Sequence, residues 1–176
     1  MKKSVLLLFF AGCVAIDIFG IGRKIPMNRV NDLGQREGYW RDSLGEGITH
    51  ELYYKGGKKD GLFKCFIRNE LFLFGEYTAD NISGTWYMFG DEGELRCTID
   101  SIELNKDSIY TGYCRIFCKY KCYCADYYPS GAVKSEGYMV CDEDFMVDFW
   151  EIGEWKYYDE SGNLIKTKDY GDRRTP

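Results

Sequence analysis

Apolar and polar residues alternate along short stretches of this chain. In "CRIFCKYKCYC" at Cys114–Cys124, one parity carries Cys114, Ile116, Cys118, Tyr120, Cys122 and Cys124; the other carries Arg115, Phe117, Lys119, Lys121 and Tyr123. "THELYY" at Thr49–Tyr54 alternates in the same way. A period of two is the mark of a strand with one buried face. A glycine, any residue and a large aromatic recur on a fixed interval. Gly38–Trp40, Gly61–Phe63 and Gly84–Trp86 follow one another at 23 residues, and Gly153–Trp155 lies 69 residues, three intervals, beyond the third.

More than the aromatic keeps this register. Gly34, Gly57 and Asp80 each stand four residues before the repeat glycine, in turn-like surroundings, and Tyr54 and Tyr77 are 23 apart. Seven residues after Trp40, Trp86 and Trp155 come Gly47, Gly93 and Gly162, whereas the second unit has Glu70 there. Self-similarity at a period of 20 to 50 residues signals a repeat architecture. Twenty-three residues hold two strands and two turns, that is, one hairpin and its link to the next. The pattern predicts an all-β fold, an elongated antiparallel array of stacked β-hairpins. Gly38, Gly61, Gly84 and Gly153 are expected to supply positive φ in the turns. Trp40, Phe63, Trp86 and Trp155 are expected to fill the space between hairpins.

The period, the Gly-x-Trp/Phe signal and "GKKDG" at Gly57–Gly61 resemble MORN repeats, and in detail the bacterial MORN-repeat variant. "YYPSGAVKSEGY" at Tyr127–Tyr138 and "WKYYDESGNLIKTKDY" at Trp155–Tyr170 are similar to that variant's characteristic half-repeats, and "NDLGQREGYW" at Asn31–Trp40 to its opening segment. The resemblance covers about residues 28–171. It departs between Leu95 and Asp126, since the ruler positions 107 and 130 are Asp107 and Ser130. It implies a hairpin-repeat domain over 28–171 with a Cys-rich irregular block at about 96–126, followed by a tail at 172–176. It also implies a non-catalytic, protein-binding or scaffold role. Members of the variant are often labelled antitoxin-like, which makes a neutralising protein of the cytosol the alternative.

The N-terminus is a separate object. Two lysines, an apolar run at Val5–Phe10 and small residues before Cys13 form a short secretory signal pattern over about residues 1–22. Phe10-Ala11-Gly12-Cys13 resembles a bacterial lipoprotein signal, although the first position there is usually Leu; this makes Cys13 a lipidation candidate and the cell envelope the expected location. An uncleaved anchor over about Val5–Gly22, interrupted by Asp17, and a buried first strand of a cytoplasmic protein are the alternatives. One acyl chain alone anchors marginally.

Composition adds limits. Aromatic residues make up 17% of the 176 and prolines number only three, which suits many short strands. A net charge of −5 argues against a nucleic-acid groove, which needs a basic patch. The cysteines after Cys13 are Cys65, Cys97, Cys114, Cys118, Cys122, Cys124 and Cys141, an odd number for a fully oxidised exported domain. On one strand face they read first as apolar filler, with disulfides and a metal as the other uses; no metal or other cofactor is assigned. No nucleotide loop, nucleophile elbow or HExxH motif is present. His50, the single histidine, is expected at the surface or an edge, and the acids at Asp142–Asp144 and Asp159–Glu160 beside turns. No enzyme and no small-molecule substrate is expected. Lys55, Lys58 and Lys59 form a small basic turn able to touch a phosphate.

Overall fold

A computed structural model of the chain describes residues 26–106, 118–142 and 149–171. The N-terminal segment 1–22 with Cys13, the tail 172–176, and Asp107, Cys114 and Asp144 lie outside the described residues. Among those described, eleven strands form one antiparallel sheet in which each strand lies beside its neighbours in sequence. They are β1 (Arg29–Val30), β2 (Arg36–Gly45), β3 (Ile48–Lys55), β4 (Lys58–Ile67), β5 (Glu70–Thr78), β6 (Asn81–Phe89), β7 (Leu95–Leu104), β8 (Tyr120–Tyr127), β9 (Val133–Cys141), β10 (Phe149–Tyr158) and β11 (Leu164–Asp169). The architecture is the stacked-hairpin array that the ruler predicts. No described helix is long and apolar enough to cross a membrane.

The 23-residue interval has a simple origin. Between β2 and β6 every turn has two central residues, both at positive φ: Glu46–Gly47, Gly56–Gly57, Arg68–Asn69 and Ala79–Asp80. Such turns match the twist of the strands they join. One pair of strands with its two turns, for example 58 to 80, is then one period. Successive units are also tied at matching places. The Gly57 amide donates to the Arg36 carbonyl at 3.0 Å, and 23 residues later the Asp80 amide donates to the Lys59 carbonyl at 2.8 Å.

After β6 the connections lengthen. Three five-residue turns, at 90–94, 128–132 and 159–163, close by a hydrogen bond between their first and last residues. From Trp86 on β6 to Trp155 on β10 the described residues add four strands, two strand pairs rather than three. Among the described residues the interval of 69 therefore spans two longer strand pairs. The described parts of the 96–126 block include two strands of the sheet: β7 and β8 pair with each other, with a bulge between Asp100 and Glu103, and with the strands on either side.

The core lies on one face of the sheet. Leu52, Phe63, Leu73, Tyr77, Trp86, Ile99, Tyr120, Met139 and Trp155 are among its buried members. A smaller cluster of Cys118, Val140 and Ile152 with Trp150 is separate. Val140 alternates with Met139 and Cys141 on β9, which puts it on the opposite face.

Candidate functional site

The ruler residues form a line across the core face. Strand register connects Trp40 to Leu52 and Leu52 to Phe63, then Phe63 to Gly75. Trp86 lies over Gly75 and pairs with Ile99; Ile99 pairs with Cys124, and Cys124 with Gly137, over which Trp155 lies. The aromatic members therefore come from the even-numbered strands. Trp86, Trp155 and Phe63 are buried, whereas Trp40, beside the two-residue β1 and with the Arg36 guanidinium 4.4 Å over its ring, is half-buried.

The repeat glycines sit inside strands and not in the turns where the pattern placed them. Gly38, Gly61, Gly84 and Gly153 have φ of 74°, 125°, 66° and 60° and belong to β2, β4, β6 and β10. Around Gly61, Gly84 and Gly153, three residues of one strand oppose a single residue of the preceding strand. This is a bulge, which needs the left-handed conformation as much as a tight turn does. It bends the strand so that the aromatic two residues on swings over the preceding strand. The indole N–H of each buried ring is then satisfied: Trp86 Nε1 donates to the Ser83 carbonyl at 3.1 Å and Trp155 Nε1 to the Tyr138 carbonyl at 2.8 Å. Tyr77 stands edge-on to both Phe63 and Trp86, at 5.7 and 5.3 Å.

Two further glycines complete the device. A Cβ on Gly75 would lie 2.1 Å from the Trp86 ring, and one on Gly137 2.6 Å from the Trp155 ring. Where the aromatic is the smaller Phe63, the facing residue is Leu52. Gly75 and Gly137 are thus required for space, and Gly84 for its φ.

On β8 the place in this line belongs to Cys124. A thiol in place of a ring leaves room, and a cleft of about 330 Å³ opens there, lined by Ile99, Cys124, Met139 and Trp155 among others. Sulfur collects around it. Cys97 Sγ is 3.2 Å from Cys124 Sγ, and Cys122 Sγ is 3.6 Å from Cys141 Sγ. The contacts run between strands rather than along the run that alternation singled out. Cys118, predicted on the same face, instead joins the separate cluster with Val140. Hydrogen bonding to Cys141 and burial push the Cys122 thiol far up from its ordinary range; Cys97 and burial do the same to Cys124. All six described cysteines are buried thiols.

The opposite face carries aromatics of its own. Tyr39 pairs with Tyr53, Phe74 with Tyr87 and Tyr123 with Tyr138, with ring centroids 5.5, 6.0 and 5.1 Å apart. Each alternates with a core residue, which fixes its side of the sheet. Tyr53, Leu62 and Tyr138 are 40–45% exposed. Burial and a hydrogen bond to Glu51 push the Tyr39 phenol up to about 12; burial and Glu136 do the same for Tyr123.

The remaining polar candidates take structural places. His50 is neither an edge nor a surface residue. It is half-buried on an interior strand, opposite Asp42 and Cys65, with its ring edge-on to Phe63 at 5.0 Å. Cys65 beside it is fully buried. Lys59 lies over the Tyr77 ring at 4.7 Å, while Lys55 and Lys58 are exposed. Asp159 caps its own turn, accepting the amides of Ser161 and Asn163, and these bonds with Asn163 foremost lower its pKa.

Comparison of the chain with protein-family models, with curated proteins and with solved structures finds no match.

Proposed function

We propose that the chain is a non-catalytic protein-binding or scaffold module, held at the cell envelope through its N-terminal segment. One observation carries the reading: the outer face bears register-paired aromatics spread from β2 to β9, with Tyr53 and Tyr138 among them exposed, on one continuous sheet. Tyrosine offers large contact area at small entropic cost and is enriched at binding surfaces. Repeat folds present such extended surfaces to macromolecules. The lipoprotein-like signal at Cys13 supports the envelope, and the 23-residue ruler supports kinship with MORN repeats. The net charge of −5 favours a basic partner surface.

The test places a photo-crosslinking residue at Tyr53 or Tyr138 in the native host. The expected result is one defined protein adduct from both positions, lost when Leu62→Ala is combined with Ala at the other tyrosine. Adducts that ignore these substitutions, or none, overturn the reading. An adduct with a small toxic protein in the cytosol would replace it with the neutralising role.

A further inference from the structure

We propose that Cys97, Cys124 and Asp126 form a zinc site, with the fourth coordination position open to the core-face cleft. The proposal is independent of the outer-face reading. The two sulfurs and a carboxylate oxygen of Asp126 all lie within 4.8 Å of one another. The set spans two strands: Cys97 pairs with Asp126 in the ladder between β7 and β8, and Cys124 lies two residues before Asp126 on the same face of β8. Strand pairing therefore fixes the ligands before any metal arrives, which limits the ordering cost of binding.

The donor set suits zinc. Two thiolates and a carboxylate are a mixed soft and hard set, and zinc accepts both. With Zn–S bonds of about 2.3 Å, tetrahedral geometry separates two sulfurs by about 3.8 Å. The 3.2 Å pair thus has to open by about 0.6 Å, a small swing of two side chains. Zn²⁺ displaces one proton from each thiol to solvent, and the bound thiolates with Asp126 leave the centre one negative charge. Lys134 lines the same cleft and offsets it.

Access and support distinguish this pair from the other. Cys97 and Cys124 line the cleft and retain 8% and 5% exposure, whereas Cys122 and Cys141 have none. Ser135 Oγ donates to Asp126 Oδ2 at 2.8 Å, orienting the carboxylate. Such supporting hydrogen bonds hold a ligand in place. The repeat explains why the site is here and nowhere else along the line: only on β8 does a thiol replace the ring, and the cleft follows from that replacement.

The experiment titrates the full-length, reduced, metal-free chain with Co²⁺ and then displaces it with Zn²⁺. The expected result is one equivalent with thiolate-to-cobalt charge-transfer and tetrahedral ligand-field bands, bleached by Zn²⁺. Cys97→Ser and Cys124→Ser, with far-UV circular dichroism as the fold control, are expected to lose the charge-transfer band. Ser135→Ala is expected to keep the band and weaken zinc about 10–100-fold, so the proposal stays testable if a serine variant does not fold. Absence of the band, or its persistence in both folded serine variants, overturns the site. So does zinc affinity unchanged in Ser135→Ala and Asp126→Asn alike. An intact mass lacking the two thiol hydrogens, with no metal uptake, would assign the pair to a disulfide instead.

Discussion

Replacing Gly75 by alanine tests the packing device at its tightest point. The new Cβ would lie 2.1 Å from Trp86 Cδ2, with two more ring atoms at 2.4 and 2.5 Å. The ring has no free room to retreat, since it is 1% exposed and held between Phe63 and Tyr77. Overpacking of this kind costs about 1–3 kcal/mol, and expelling the ring altogether about 3–5 kcal/mol. Gly75→Ala should therefore lose roughly 3 kcal/mol. Trp86→Phe alone should lose about 1–2 kcal/mol, through the cavity and the bond to the Ser83 carbonyl. The two together should lose less than their sum by at least about 1 kcal/mol, because Phe63 already coexists with a full side chain at Leu52. Urea unfolding followed by far-UV circular dichroism measures all three. Gly84→Ala is the control. Its φ of 66° carries a cost of about 1–2 kcal/mol, and the nearest atom to a new Cβ is Glu76 Oε2 at 3.6 Å, so Trp86→Phe should not relieve it. Strict additivity for the Gly75 pair would refute the close approach of ring and backbone.

Other outcomes follow from the same geometry. Trp86→Ala should cost about 3–5 kcal/mol, and Trp40→Ala, half-buried at the end of the line, about half that or less, both read by denaturant melts. The Tyr39 phenol is pushed up from 10 to about 12 on folding, so its contribution is complete below pH 10 and fades as pH rises toward 12; Tyr39→Phe should make that part of the stability profile less steep, with Tyr123 supplying the remaining slope. The buried Cys65, Cys122 and Cys141 should resist alkylation at pH 8 until the chain unfolds, with labelling rates that track unfolding in a denaturant series.

The fold was legible because its units are nearly uniform. Strands of eight to ten residues and two-residue turns convert directly into a spacing of 23, and the aromatic marks each unit. The placement of Gly38, Gly61, Gly84 and Gly153 was not legible, because bulges and turns ask for the same positive φ and the chain does not say which it is. Gly75 and Gly137 gave no periodic signal. They stand 11 and 18 residues before the tryptophans that cover them, since connections of different length intervene. Alternation placed Cys122 and Cys124 on one strand face. It could not supply their partners Cys141 and Cys97, which depend on register between strands. His50 misled because an alternating strand reads alike at an edge and in the interior. The cleft was hidden for the same reason as the cysteine pairs: Cys124 takes the ring's place only when β7, β8 and β9 are laid side by side.

The most direct measurement of the central claim is the proton NMR spectrum of the glycine α-positions in the folded chain. A tryptophan lying flat over a backbone shields the protons beneath it. Gly75 and Gly137 should show α-protons displaced well upfield of the other glycines, with cross-relaxation to the Trp86 and Trp155 indoles respectively. Ordinary shifts and no cross-relaxation at both glycines would mean that the rings do not cross the preceding strands, and that the glycine–aromatic ruler has some purpose other than joining one hairpin to the next.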